Sequence, residues 1–141
     1  MKILVVLLLS SLPFAVAAQS LFSTDDFVGD WRVEHYDAER QVTTLTEFHF
    51  DEAGRFYAQS LVTNGAATRY FDSGGNWVYQ DGKVRLDYHD WSDNDVDTAY
   101  LEFENFSRQY LSFRKIHANG TRLPDIYEAH RFETPSFVHG C

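Results

Sequence analysis

The sequence predicts an all-β fold, a single antiparallel up-and-down β-barrel of about eight to nine strands that follows a short helical turn. Three observations predict this class. After residue 29 the chain alternates apolar and polar residues in short runs, turn pairs such as Asp81-Gly82 and Asn119-Gly120 separate these runs, and no segment has long helical periodicity. A closed barrel leaves no sheet edge unpaired, and a two-sheet sandwich is the alternative architecture.

The helical turn is predicted at Ser23-Thr24-Asp25-Asp26, which fits a helix cap. The alternating runs between the turns predict the strands. Their approximate bounds are 30–37, 42–50, 55–62, 68–71, 76–80, 83–89, 96–104 and 109–117, with a ninth strand at about 125–132.

Turn chemistry predicts the register of one hairpin directly. Asp81-Gly82 supplies the positive φ angles of a two-residue hairpin loop. This loop places Tyr79 opposite Val84 and Trp77 opposite Leu86, so all four apolar side chains share one face of the sheet.

A second hairpin follows from the turn at residues 52–54. A three-residue loop there pairs Phe50 with Phe56 and Phe48 with Ala58, again on one face. The other face of each strand is polar, as antiparallel sheets allow.

Residues 1–18 are predicted to be an export signal peptide. Lys2 provides a positive start, apolar residues cover 3–9 and 12–16, and Val16-Ala17-Ala18 supply small residues before a cleavage site after Ala18. The apolar region is too short to span a bilayer. The predicted mature chain, residues 19–141, is a single β-barrel domain in the periplasm or outside the cell.

Length and charge limit the classes of partner. The chain has 141 residues, enough for one domain with a sizeable core, and a formal net charge of −9. Nucleic acids and anionic membrane surfaces bind basic patches. We therefore expect that this acidic protein does not bind nucleic acid and does not insert stably into a membrane.

The cysteine content bears on stability and oligomeric state. Cys141 is the single cysteine and ends the sequence, so no internal disulfide forms and packing must stabilise the domain. We expect a monomer with an inert C-terminal tail, and a dimer through Cys141 is the alternative.

The entry to the first strand resembles that of the lipocalins and their bacterial lipocalin-like relatives. Gly29-Asp30-Trp31 matches the Gly-X-Trp that begins the first strand of this family after a short helical turn. The resemblance implies that Gly29 and Trp31 are structural, with Trp31 closing one barrel end under an Arg or Lys from a late strand. Arg131 is the candidate for that cation and Arg114 is the reserve. The chain is shorter than typical secreted lipocalins, which implies a smaller cavity.

The inward face of the predicted barrel is the candidate ligand-binding site. An eight-stranded barrel is just wide enough to be filled by side chains or to hold one small apolar ligand, and the sequence leaves both interpretations open. Tyr79 and Tyr88 favour a pocket, because a buried phenol needs a hydrogen-bond partner. The candidate ligand-binding residues are Phe48, Phe56, Trp77, Tyr79, Leu86, Tyr88, Leu101 and Phe103.

No metal or cofactor site is predicted. The six histidines are scattered over separate strands and loops without a metal-binding spacing, and strand parity does not settle on which side of the barrel His130 lies. The acidic loop 90–97 has aspartates at the spacing of the first calcium ligands, but Thr98 stands where the turn needs glycine. We interpret these acids as keeping the loop soluble.

Catalysis has little support in the sequence. It contains no Gly-X-Ser-X-Gly motif and no glycine-rich phosphate loop, so isomerase or hydrolase activity is a minor alternative. Two other functions are compared. In the first, the protein is a non-enzymatic carrier of a small apolar or amphipathic ligand. The second is a filled barrel that acts through its surface as an envelope accessory or inhibitor protein. A cavity favours the first, and an exposed apolar patch favours the second.

Overall fold

The structure is a computed structural model that describes residues 22–90 and 96–133. These residues form one short helical turn and a closed antiparallel barrel of eight strands, which confirms the predicted fold class. The elements are α1 (Thr24–Phe27), β1 (Gly29–Asp37), β2 (Val42–Phe50), β3 (Arg55–Asn64), β4 (Ala67–Gln80), β5 (Lys83–Asp90), β6 (Asp97–Phe106), β7 (Tyr110–His117) and β8 (Arg122–Arg131).

Each strand pairs with the next one along the chain, and β8 returns to pair with β1. The closing ladder is short, since it joins Trp31 to Arg131, Arg32 to His130 and Val33 to Ala129. Closure excludes the sandwich alternative, because a sandwich would leave the first and last strands apart.

The predicted hairpin registers are confirmed. Tyr79 pairs with Val84 and Trp77 with Leu86. Asp81 and Gly82 between these strands have φ angles of 54° and 77°, as a two-residue hairpin turn requires.

The strand count is eight, within the predicted eight to nine, because the predicted strands 68–71 and 76–80 form one strand. The residues between these two predicted strands, Ser73-Gly74-Gly75, have the composition of a turn but lie inside the continuous strand β4. Glycine also marks places where another backbone comes close. A Cβ atom on Gly75 would overlap the carbonyl oxygen of Asp87 in β5, so this glycine permits close strand approach. The predicted last strand is accordingly β8.

The core is concentrated at one end of the barrel. There α1 carries Phe27 under the barrel, where its ring packs 4.4 Å from that of Phe50 and 5.2 Å from that of Trp77. Phe22 and Phe103 pack against the same cluster. We call this the closed end. Within the described ranges, no helix is long and apolar enough to cross a membrane.

Candidate ligand-binding site

The closed end is fastened by Arg131. Its guanidinium carbon lies 4.1 Å from the ring centroid of Trp31, whose side chain is almost fully buried. The same guanidinium donates hydrogen bonds to the backbone oxygens of Asp26, of Val28 at 2.7 Å and of Arg108 at 2.9 Å. One side chain of the last strand therefore joins the entry segment and the β6–β7 turn over the Trp31 ring.

Gly29 fits this arrangement because it has no side chain. Its φ angle is +127°, which disfavours any other residue, and a Cβ atom would overlap the Nη1 atom of Arg131. Trp31 completes the end of the barrel by donating a hydrogen bond of 2.7 Å from its indole nitrogen to the backbone oxygen of Phe27. This end of the barrel therefore has no room for a ligand.

The rest of the interior contains a cavity of about 280 Å³. It lies on the side of the barrel away from the Trp31 end, and all eight strands contribute to its wall. Its lining residues are Val33, His35, Thr44, Thr46, Phe48, Phe56, Ala58, Ser60, Ser73, Leu86, Tyr88, Ala99, Leu101, Phe113, Lys115 and Tyr127.

The inner part of the cavity is apolar and buried. Val33, Phe56, Leu86, Leu101 and Phe113 line it, and each of these side chains is buried in the barrel wall. Alternation along each strand turns these side chains inward, and their burial makes them the floor of the cavity. A floor of this kind binds by shape and by exclusion of water rather than by hydrogen bonding.

The outer part of the cavity is polar and half-buried. The hydroxyl oxygens of Thr46 and Ser60 lie 2.9 Å apart. His35 of β1 lies 3.4 Å from a carboxylate oxygen of Asp125 in β8, which links these strands beyond the end of their ladder. The cavity therefore passes from an apolar floor to a polar, half-open end, as an amphipathic ligand requires.

Two tyrosines stand in this polar part. Burial removes water from both phenols and raises the pKa of Tyr88 and of Tyr127, with smaller contributions from Asp97 and Asp125 respectively. Both side chains are therefore neutral near pH 7 and act as hydrogen-bond donors or acceptors rather than as charges.

Lys115 is the one lysine or arginine among the residues that line the cavity. Its ammonium nitrogen lies 4.6 Å from the ring centroid of Tyr127, and burial lowers the pKa of Lys115. Within residues 22–90 and 96–133, the structure contains no ion pair or hydrogen bond from this ammonium to another side chain or to the backbone. The cavity thus holds a half-buried, partly desolvated ammonium group.

A break in the sheet lies beside Lys115. In the β7–β8 ladder Arg114 pairs with Ile126, but Ile116 already pairs with Arg122, so β8 has extra residues opposite Lys115. Pro124 lies in this irregular stretch, where its missing N–H costs no ladder hydrogen bond. Bulges of this kind occur preferentially next to functional sites, where they change the direction of a side chain.

The candidate ligand-binding residues divide between the cavity and the closed end. Those that line the cavity are Phe48, Phe56, Leu86, Tyr88 and Leu101. Trp77, Tyr79 and Phe103 do not line it. Trp77 is buried against Phe27, and Tyr79 and Phe103 stack on Phe22, with ring centroids 3.9 Å and 5.5 Å away. Alternation along a strand fixes the face of a residue but not its depth along the barrel axis.

Sequence reasoning missed the polar half of the cavity. Lys115 follows Phe113 by two residues and so shares its inward face, yet a charged residue at that position was not considered as a wall residue. Strand parity was the signal that could have found it. Thr44, Thr46 and Ser60 follow the same rule in β2 and β3.

The remaining sequence hypotheses have these outcomes. His130 is exposed and lies outside the barrel with its ring 5.1 Å from that of Tyr110. Within the part of the chain that the structure describes, no group of three or more His, Cys, Asp or Glu side chains is arranged to hold a metal ion. Arg114 pairs with Glu104 at 2.8 Å and does not cover Trp31. The tip of the acidic loop, Cys141 and the predicted signal peptide lie outside the described residues.

Comparison with known proteins gives structural likenesses alone. No family model matches the chain, and no curated protein matches it either. A redesigned β-barrel superposes with a TM-score of 0.48 and 16% sequence identity, over 77% of this chain and 94% of that one. A second redesigned β-barrel, mFAP1 bound to DFHBI, has a TM-score of 0.47 and 14% identity, over 77% and 96% of the two chains.

Proposed function

We propose that this protein is an exported, lipocalin-like carrier that holds one small amphipathic molecule inside its barrel. The observation that carries the proposal is the cavity of about 280 Å³ with an apolar floor and a polar outer part. Small-molecule sites in proteins measure roughly 300–1,000 Å³, so this cavity fits a compact ligand rather than a large one.

The lipocalin-like part of the proposal is supported by the barrel end. Gly29, Trp31 and Arg131 have the arrangement that the resemblance implies for that family, with the cation over the indole ring. In this arrangement one end of the barrel is closed by protein, so a ligand would enter from the polar end.

The alternative function, action through the outer surface, is the second candidate. The exposed large apolar side chains of the described residues are spread over β1, β4, the residue before β6, and β8: Tyr36, Tyr70, Phe71, Val78, Tyr79, Val96 and Ile126. Strand β4 has exposed apolar side chains at Tyr70, Phe71, Val78 and Tyr79. The two pairs are eight residues apart on one strand, which is about 26 Å, so they do not form one patch. Tyr79 is also stacked on Phe22, which leaves less apolar surface for a partner.

Export is tested by the mass of the processed protein. The signal peptide prediction expects the envelope fraction of the native host to contain a chain that begins at Gln19. A protein that retains residues 1–18 in the soluble cytoplasmic fraction would contradict export without bearing on the cavity.

Ligand carriage is tested by native mass spectrometry of the protein purified gently from its host. We expect an additional mass of a small molecule that disappears on unfolding. Ala58→Phe should abolish it, because Ala58 lines the cavity and a phenyl ring there would fill part of its volume. Ala53→Phe, in the exposed β2–β3 turn at the closed end, is the matched control and should retain the added mass.

The two variants also separate folding from binding. If Ala58→Phe unfolds like Ala53→Phe but still carries the additional mass, the ligand lies outside the cavity and the carrier proposal fails. If wild-type protein from its host never carries a small molecule and binds none when offered, the barrel is not a carrier.

A further inference from the structure

We propose that the ligand carries a carboxylate, which Lys115 binds within the cavity. This inference rests on the proposed carrier function and names the class of ligand: a compact apolar body with a single anionic group. Its basis is the position of one unpaired lysine in the wall of a cavity that no carboxylate and no other lysine or arginine lines.

The position of Lys115 in the cavity wall is energetically costly unless a counter-ion is present. A buried ammonium without a counter-ion is disfavoured, and folded proteins pair such charges or neutralise them. Lys115 has no carboxylate partner among the described residues, and its contact with the face of Tyr127 offsets the lost hydration in part. A protein that only needed a filled barrel would be more stable with an apolar residue at this position.

The ammonium group of Lys115 has hydrogen-bond donors that no protein group uses. An ammonium has three donors, and a cation–π contact with Tyr127 uses one side of it. The other donors are available to an acceptor group of a ligand in the cavity. A carboxylate is the acceptor whose charge matches, and charge-assisted hydrogen bonds are about twice as strong as neutral ones.

Three acidic residues lie near the polar part of the cavity without lining it. Asp125 pairs with His35, and Asp97 and Asp37 lie near enough to affect the phenols of Tyr88 and Tyr127. None of these three acids lines the cavity. The net charge of −9 repels an anion at long range, but salt screens this repulsion beyond about 8 Å, whereas the half-buried charge of Lys115 is screened less.

The apolar floor of the cavity suits the apolar part of such a ligand. The floor formed by Val33, Phe56, Leu86, Leu101 and Phe113 is continuous with the wall that holds Lys115, because Phe113 and Lys115 are alternate residues of β7. A molecule whose carboxylate contacts Lys115 would therefore extend its apolar part over Phe113 toward the closed end. A compact monocarboxylic acid has this form.

The experiment compares two probes that differ in charge. Decanoate and decanol have the same chain length, and isothermal titration calorimetry at pH 7 measures their affinities for the purified mature protein. We expect decanoate to bind roughly ten- to hundred-fold more tightly than decanol, as a charge-assisted hydrogen bond predicts. Lys115→Met should remove this preference while decanol binding stays within a few-fold, because Met retains the apolar stem.

Two further variants make the result specific. Lys115→Arg retains the charge and should keep the preference for decanoate. Lys83 lies at the start of β5 away from the cavity and is the one other lysine after residue 2, so Lys83→Met is the matched control and should bind like the wild type.

The outcomes distinguish this inference from the carrier function. Equal binding of decanol and decanoate by the wild type would overturn the carboxylate assignment and leave the carrier proposal standing. Retention of the preference in Lys115→Met would place the anion site elsewhere and also overturn the assignment. If the wild type binds neither probe, the carboxylate assignment fails, and the host-purified sample decides whether the carrier proposal fails with it.

Discussion

Trp31 illustrates how single residues decide which half of the barrel is available to a ligand. Its ring is covered by Arg131 and its indole N–H is bonded to the backbone of Phe27. These contacts occupy the closed end with protein groups. The three-residue motif around Trp31 therefore defines the fold, and its replacement should affect stability far more than binding.

We predict that Trp31→Ala destabilises the protein by about 3–5 kcal/mol, because the substitution removes a buried aromatic ring and leaves a cavity. Urea-induced unfolding followed by circular dichroism measures the change. Tyr88→Phe is the comparison, since it removes one hydroxyl from the half-buried polar end and should leave stability nearly unchanged. A Trp31→Ala protein that unfolds at the parent's urea concentration would contradict the plug assignment.

Strand β4 contains two consecutive glycines that bring a neighbouring strand close. It runs unbroken through Gly74 and Gly75, although this pair has the sequence of a turn. Gly75 pairs with Tyr88 of β5, a residue of the cavity wall, and the backbone of Asp87 occupies the space of its missing side chain. The glycine thus allows β5 to approach and to bring Tyr88 into the wall.

We predict that Gly75→Ala costs about 1–3 kcal/mol and weakens ligand binding, because backbone atoms rather than a flexible side chain must move to admit the methyl group. Gly74→Ala is the matched control. A Cβ atom there would lie 3.2 Å from the backbone oxygen of Phe56, which a small shift accommodates. Thermal unfolding of both variants measures the difference, and equal melting temperatures would show that the close approach at Gly75 is not required.

At the scale of the whole molecule, stability and ligand binding depend on the same buried charge. The folded state desolvates Lys115, which lowers its pKa, whereas the unfolded chain leaves it in water. Between the folded-state pKa and the unfolded value of about 10.4, the unfolded state binds more protons, so the free energy of unfolding rises with pH in that window. Below the window, the full cost of the buried charge opposes folding.

We therefore predict that Lys115→Met is more stable than the wild type at pH 7 and that its advantage shrinks as the pH approaches 10. The raised pKa values of Tyr88 and Tyr127 have the opposite effect, since they reduce stability above about pH 10. Below about pH 10 both phenols are neutral in the two proteins, so the difference between the proteins in that range isolates Lys115. Urea midpoints at several pH values measure it, and a difference that is independent of pH would contradict a desolvated Lys115.

Local pattern was sufficient for much of this fold. Alternation and the turn at Asp81-Gly82 predicted the class, the sequential pairing and the register of the hairpin, because turn geometry fixes which residues face each other. The same local signal failed at Gly74-Gly75, where glycine serves contact with a neighbouring strand. That contact is between residues distant in sequence, so the sequence pattern does not contain it.

The sequence by itself determined the inward face of each strand, since side chains alternate with a period of two whatever the strand packs against. It therefore placed Phe48, Leu86 and Leu101 inside the barrel. Only the tertiary structure decided which inward residues meet at the Trp31 end and which border a void, because depth depends on closure and on the stagger between strands. For the same reason, the place of Lys115 in the cavity wall depends on the position of β7 between β6 and β8 in the closed barrel.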